Sequence, residues 1–548
     1  MLHELARRAR LSPELHYYVL GSGPTGVSSA RALLDHGCEV TLLDVGAQLE
    51  PERRARLDAL ARMDPPSLRE RIGELGPAAL PANQGLPLKL AFGSAFPYAL
   101  EEMARLQQHG TRCVESHARG GLSSVWGAAV LPFRDEDVRD WPGGLQALAP
   151  HYAAVARWMP LCGGHDDLEA AFPYYGAEPG VLAPSRQAQA LQRRMQRRRE
   201  ELRARGYLVG QARLAVRAPE AGAGCRSVGL CLTGCPYGAI FDAAEVLEQM
   251  RGRPGFRHLT GLKVERLLEA ESHVEIVARR VAGGGLESFR ARRALVGLGV
   301  ISTTKLVLHS RAAVDRPFEL RYHPYFLMPL LLAEKAGGVE GEELHALAQL
   351  FVEIDDRAIS KELVHLQLYT FSRQLESELR ARFARLGLLG QALSSMLLGR
   401  VAVLQGYFHA SEAPPIVVRA LRPPDPDAPI ELRLDAGDMR PFARKVARLA
   451  RKLRRDARLT GFFPIPLATR LGRPGEGNHV GAIFPMRRDP GPFESDTLGR
   501  LSGTGRVHLV DASVLPSLPA TTITYTAMAN AHRIATELAS ADPAASHT

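Results

Sequence analysis

HYYVLGSGPTGVSSARALLDHGCEVTLLDVG, His16 to Gly46, reads as a strand, a glycine turn, a helix and a second strand that ends in an acid. Tyr17 to Leu20 is a short apolar run, and Gly21 permits a tight turn after it. Gly23 lets backbone approach a pyrophosphate, and Gly26 lets the helix pack closely on the strand. The helix, Pro24 to His36, would aim its free N–H groups and its positive end at the phosphates. Pro24, in the first turn beside Thr25, has no N–H for the helix to leave unpaired. Asp44, about twenty residues beyond the glycines, stands where a carboxylate accepts hydrogen bonds from an adenosine ribose. An ordinary strand-turn-helix would need the same glycines; the flanking strand and the acid at this spacing point to a bound dinucleotide.

A chain of 548 residues exceeds one usual core, so two domains or one large discontinuous domain are expected. Hydrophobic residues make up 45%, and no run of about eighteen apolar residues occurs, so no membrane span is expected. The amino terminus runs into the first strand without the apolar segment of an export signal, which suits a cytoplasmic location. The formal charge of +10 is concentrated in LQRRMQRRREELRAR (Leu191 to Arg205) and RKVARLARKLRRDAR (Arg444 to Arg458). Apolar residues recur at helical spacing among these bases. They read as amphipathic helices with solvated faces, and nothing around them resembles a nucleic-acid module.

Six cysteines are few for this length and suit a reducing compartment. Cys225, Cys231 and Cys235 cluster in CRSVGLCLTGCPYGA, where a four-thiolate site would need one more ligand; Val228 occupies the position that a CxxC spacing would give it. Cys38, Cys113 or Cys162 could supply a fourth thiolate from a distance. A structural loop without metal is the favoured reading.

Further along, HARGGLSSVWGAAVLPF (His117 to Phe133) is apolar and contains the Gly120–Gly121 pair, which suggests backbone pressed against a planar or phosphorylated ligand. His258 to Ser310 reads as a β-meander, then a strand from Ala294 to Leu298, then a turn at Gly299 into a helix. GRVHLVDASVLPSLPATTITYTAMANAHRIATELA reads as a strand (Val507 to Val510), a loop with two prolines and a helix of small residues from about Thr524. Upstream, His479 lies in the glycine-rich GEGNHVGAIFPM, where an imidazole would titrate near neutrality and suit a general base.

In order and spacing, these segments resemble the glucose–methanol–choline oxidoreductases, FAD-dependent enzymes that oxidise alcohols and sugars. VLGSGPTG…LLDVG is similar to the family's FAD pyrophosphate and ribose segment, with Asp44 where glutamate is usual. GGLSSVWGAA resembles the flavin-contacting loop, its tryptophan being that of the pyranose-oxidase branch. DWPGGLQALAPHY, CRSVGLCLTGCPYGAIFDA, ALVGLGVISTTKLVL and GRVHLVDASVLP resemble four further segments in family order.

The resemblance implies FAD contacts at Gly21, Gly23, Pro24, Thr25, Gly26 and Asp44, and at Gly120, Gly121, Ser123, Ser124, Val125 and Trp126. It implies others at Val264, Gly299, Asp511, Ala512 and Thr524. Val125 stands where covalent members of the pyranose branch carry a flavin-linking histidine, so the FAD is expected to be non-covalent. HVGAIFPM sets His479 and Met486 seven residues apart, as in the catalytic segment, and implies His479 as the base that takes the hydroxyl proton while hydride goes to flavin N5. The second catalytic position, usually Asn or His, aligns with Thr522, whose hydroxyl would hydrogen-bond the substrate oxygen; Asn478 is a weaker candidate for orienting a ligand. The implied reaction turns the CH–OH of a small alcohol or sugar into a carbonyl, with oxygen, a quinone or a protein as acceptor. An altered or non-redox chemistry on the same fold, and a nicotinamide-dependent dehydrogenase, are the alternatives.

The fold class expected is α/β with an α+β second part. A Rossmann-like FAD-binding domain, 1–320 and 490–548, would be joined to an antiparallel-sheet substrate domain, 321–489. Strands are expected in RYHPYFLMPLLLAE, ELVHLQLYTFS, RVAVLQGYFHA and PIELRLD, with helices at 375–398 and 440–457 against them.

Overall fold

A computed structural model describes residues 16–75, 89–422 and 429–541. His16–Leu20 is a strand with all five residues buried, and it pairs in parallel with Glu39–Leu43 on one side and Arg293–Val296 on the other. Phe256–Leu259 and Val507–Leu509 complete a five-stranded parallel sheet in which the first strand is central. Burial on both faces is what a parallel sheet requires, and it explains why this strand reads as an unbroken apolar run. The helices Pro24–Asp35 and Thr524–Ser540 lie together: Ser28 Oγ donates to the Met528 carbonyl at 2.8 Å. Ala529, Ala531 and Ala535 are fully buried there, so the small side chains allow that close approach. The meander is an antiparallel sheet of Leu262–Glu269, Val274–Arg280 and Leu286–Ala291.

Two further sheets carry the second part of the fold. One runs in the order Val480–Gly481, Pro317–Tyr322, Ile416–Leu421, Glu431–Asp435, Gln107–His109. The other, a roof, runs Phe462–Pro464, Tyr325–Leu332, Val401–Tyr407, Val364–Tyr369, Leu350–Ile354, Tyr207–Gln211, and Arg470–Leu471 adds to Tyr325–Leu332. The expected fold class is therefore found, a parallel α/β layer beside antiparallel sheets.

Sheet membership cuts across the expected division of the chain. Gln107–His109 and Tyr207–Gln211, both before residue 320, pair with strands of the antiparallel sheets. RYHPYFLMPLLLAE, expected as one strand, is two. Tyr322 ends one strand and Tyr325 begins another in a different sheet, because Pro324 has no N–H for a ladder and His323 turns the chain ahead of it. The helical stretch 375–398 is likewise two helices, Arg373–Phe383 and Gly387–Leu398. The basic segments are helices whose apolar stripes are buried: Leu191, Met195 and Leu202 in one region, and Phe442, Val446, Leu449 and Leu453 in the other.

Candidate active site

A cavity of about 470 Å³ lies between the parallel sheet and the roof, lined by the first glycine turn, the 121–129 loop, the start of the carboxyl-terminal helix and the roof strands. The three glycines of the turn have different reasons to be glycine. Gly21 has φ 98°, and a Cβ there would stand 2.5 Å from the Gly297 carbonyl oxygen. A Cβ on Gly26 would stand 1.9 Å from the Gly21 oxygen, so that residue makes the helix-to-strand contact. Gly23 is different, since a Cβ there would meet no protein atom nearer than 4.0 Å. Its missing side chain leaves room in the cavity rather than room for the fold.

Asp44 is buried. Its Oδ1 accepts from His258 Nε2 at 2.9 Å, while Oδ2 has no protein partner. A buried carboxylate oxygen without a donor, on a cavity wall about twenty residues after a glycine turn, fits a ribose hydroxyl. Together with the open face of Gly23 at the positive end of the Pro24–Asp35 helix, this makes the lining suited to the adenosine diphosphate part of FAD.

The other residues read as cofactor contacts divide into those that line the cavity and those that shape it. Pro24, Thr25, Gly121, Ser123, Val125, Trp126, Val264, Gly299, Asp511, Ala512 and Thr524 line it. Gly26, Gly120 and Ser124 stand behind the wall. A Cβ on Gly120 (φ 84°) would be 2.3 Å from Asp242 Oδ1, and Ser124 Oγ donates to the Gly121 carbonyl at 2.9 Å. Several of the lining polar groups are already used within the protein. Trp126 Nε1 donates to the Phe241 carbonyl at 2.8 Å; Asp511 accepts from the Ser513 N–H at 3.0 Å and from the Thr303 hydroxyl. Burial pushes the Asp511 carboxyl up.

His479 is walled by protein yet open to the cavity. Its Nδ1 is 3.2 Å from Nδ1 of His323, and its ring lies 5.3 Å from that of Tyr407. Burial, with His365 adding to it, lowers the imidazole to about 4, so the ring is neutral around pH 7. Thr522 also lines the cavity. It accepts from the Leu131 N–H at 3.2 Å, which leaves its O–H to donate elsewhere. Asn478, beside His479, adopts φ 58° and also lines the cavity.

No local pattern in the sequence marks the roof's polar surface. Tyr325, Gln367, Tyr369, Gln405 and Tyr407 line the cavity from three strands, and Gln367 and Gln405 are cross-strand partners. Behind them a fully buried Glu353 accepts from His365 Nδ1 at 2.6 Å. His365 Nε2 lies 3.0 Å from the Gln367 amide nitrogen, and Gln367 accepts from Tyr369 OH at 2.9 Å. Also illegible was a charged cluster near the meander: Glu102 is ion-paired to Lys263 and Lys305, and Lys305 also to Glu115. Burial would raise Glu102, but the two lysines bring it down to about 2. The pairs join positions far apart in the chain, and no local pattern encodes them.

The cysteine loop folds back on itself. Cys235 Sγ accepts from the Ala239 N–H at 3.3 Å, and Cys231 Sγ from the Ala346 N–H at 3.4 Å. Val228 is buried beside Leu49, Leu57, Leu60 and Leu68. Among the described residues, no group of three or more His, Cys, Asp or Glu side chains could hold a metal ion, and no helix is long and apolar enough to cross a membrane.

Compared with known proteins, the chain shares its fold with a solved structure. It superposes on the crystal structure of pyridoxine 4-oxidase from Mesorbium loti with a TM-score of 0.59, over 96% of this chain and 99% of that one, at 16% sequence identity. It is 27% identical over 316 residues to 6'''-hydroxyparomomycin C oxidase from Streptomyces lividus, a match covering 54% of this chain and 50% of the relative. It is 27% identical over 303 residues to paromamine 6'-oxidase from Streptomyces fradiae, covering 54% and 49%. The chain thus spans about half the length of the curated relatives it matches. No family model matches it. In sequence and fold the chain is similar to these three oxidases.

Proposed function

We propose that this protein oxidises the CH–OH group of a small alcohol or sugar to a carbonyl, with FAD held non-covalently and His479 as the base. The observation that carries the reading is the cavity itself: one continuous space is lined by Gly23, by Asp44 with its unpartnered oxygen and by a neutral imidazole. Support also comes from relatives that are oxidases of paromamine, 6'''-hydroxyparomomycin C and pyridoxine.

In this reading Gly21, Gly23, Pro24 and Thr25 hold the pyrophosphate and Asp44 the ribose. Gly121, Ser123, Val125, Trp126, Gly299, Asp511, Ala512 and Thr524 form the rest of the bed, with Val264 beside the adenine end; Gly26, Gly120 and Ser124 set its shape from behind. FAD, when bound, would supply the hydride acceptor. His479 takes the hydroxyl proton on Nε2, for which a neutral ring at working pH is required; a positioned base of this kind contributes about 10²–10⁴-fold. Thr522 donates its O–H to the substrate oxygen and keeps it in reach of the base. Val125 offers no side-chain nitrogen for a covalent flavin link.

Functionally, 1–320 and 490–548 form the cofactor domain and 321–489 the substrate domain, with Gln107–His109 and Tyr207–Gln211 lent to the sheets of the latter. An absorption spectrum of the purified protein after loading with FAD, recorded before and after acid precipitation, tests the cofactor assignment. Flavin bands that pass wholly into the supernatant are expected. A protein that takes up no FAD would remove the assignment, and colour retained in the pellet would remove its non-covalent form.

A further inference from the structure

His323 is 2% exposed and sits at the corner between Pro317–Tyr322 and Tyr325–Leu332. Because Tyr322 pairs with Val480, the next residue falls opposite His479. The contact is double: the His323 N–H donates to the His479 carbonyl at 3.0 Å, and the two ring Nδ1 atoms lie 3.2 Å apart. Two neutral imidazole nitrogens at that distance share one proton, so one Nδ1 carries hydrogen and the other a lone pair.

The two arrangements have opposite chemical consequences. If the hydrogen sits on His323 Nδ1, His479 must carry its own on Nε2, and its free nitrogen is a donor that cannot accept a proton. If it sits on His479 Nδ1, Nε2 of His479 is bare. The other nitrogen of His323 decides between them. That Nε2 is buried without a close hydrogen-bond partner; with Nδ1 turned to His479, it is the ring nitrogen left for the Pro519 carbonyl, an acceptor whose nearness favours a proton on this ring. An N–H aimed at a carbonyl is favourable, whereas a lone pair aimed at one is repelled, so the hydrogen of His323 belongs on Nε2. The titratable groups near His323 are His365, His409 and His479, all repelling a second proton, and burial acts the same way. Tyr407 lies against it edge-on at 6.0 Å.

We propose that His323 is a positioning residue that holds His479 as the tautomer with hydrogen on Nδ1 and a bare Nε2 for the cavity. The inference rests on the reading of His479 as the base, and it makes that base competent before any substrate arrives. The chain of contacts runs from the Pro519 carbonyl through His323 to His479, so the loop that carries Thr522 also sets the protonation pattern of the base.

The test reads the tautomer directly, without substrate. In ¹⁵N-histidine-labelled protein, resonances of residue 479 are assigned by their loss in His479→Ala. A protonated Nδ1 and an unprotonated Nε2 are expected in the parent. In His323→Phe that pattern should be lost, and in His323→Asn, whose side-chain oxygen falls near the Nδ1 position, it should return. A parent ring protonated on Nε2, or a pattern unchanged by His323→Phe, overturns the proposal whatever the protein oxidises. With FAD bound, His323→Phe is expected to slow flavin reduction ten- to a hundredfold, as loss of an orienting partner does elsewhere, and His323→Asn to restore most of it. Asparagine as slow as phenylalanine would mean the residue only fills space. If instead His479→Ala leaves flavin reduction unchanged while the tautomer behaves as expected, the catalytic reading of His479 fails and the positioning role stands.

Discussion

At the scale of single residues, the protonation of His479 sets when the site can work. Its imidazole is lowered to about 4 by burial and by His365, so the ring is neutral, as the proposed base must be, throughout the neutral range. Protonation removes the lone pair. The rate of flavin reduction by substrate is therefore expected to be level from about pH 8 to pH 5 and to fall roughly tenfold per unit below about pH 4; stopped-flow measurement across that range checks it. A break near 6.5, the value of an unburied imidazole, would place the ring in water. Asp44 gives a second residue-scale expectation. Asp44→Ala removes the unpartnered acceptor and should weaken FAD binding by about 1–3 kcal/mol, read by titration calorimetry. The place of Asp44 was legible because it depends on spacing along one strand-turn-helix-strand unit. Its partner His258 was not, being 214 residues away on the far strand of the sheet. His479 was singled out by the resemblance of HVGAIFPM to a family segment, and His323 was hidden for the same reason as His258: its meaning comes only from the pairing of Tyr322 with Val480.

At the scale of elements, the glycine turn separates folding from binding. Gly26→Ala would drive a methyl group to within 1.9 Å of the Gly21 oxygen, and Gly23→Ala would meet nothing nearer than 4.0 Å. The first is expected to lower the melting temperature of the FAD-free protein or prevent its folding, as overpacking does. The second should melt like the parent and fail to gain stability when FAD is added, because the lost space is the ligand's. Thermal melts of both variants with and without FAD distinguish these outcomes. The parallel sheet and its helices were legible because each is encoded in one contiguous pattern. The roof was not, because alternate residues of strands more than thirty positions apart, Gln367 and Tyr369 on one and Gln405 and Tyr407 on another, make one polar surface only after pairing. A single proline also outweighed a long apolar run: Pro324 divides what reads as one strand between two sheets.

At the scale of the whole molecule, buried neutral histidines govern acid stability. His151, His345, His479 and His532 are lowered to about 4 and His508 to about 3, in each case first by burial. In the unfolded chain they return towards 6.5. Between those values the unfolded state binds more protons than the folded state, so stability is full above about pH 6.5 and declines as pH falls towards 4. For the rings deepest inside, His345 and His508, the slope is about 1.4 kcal/mol per pH unit each. Asp166, Asp242 and Asp511, raised by burial, act in the opposite sense at the acid end, but they are fewer than the histidines. Denaturant melts are expected to show a steady loss of stability from pH 7 to pH 4.5; a stability level across that interval would contradict the burial of these rings.

Oxidation of an alcohol by bound flavin is tested most directly by anaerobic mixing of the FAD-loaded protein with a panel of sugars and other alcohols. The flavin absorbance is expected to bleach with at least one of them, and to bleach slower by about 10²–10⁴-fold in His479→Ala that still holds FAD. A flavin that no alcohol reduces, or one reduced as fast without the imidazole as with it, would contradict the central claim.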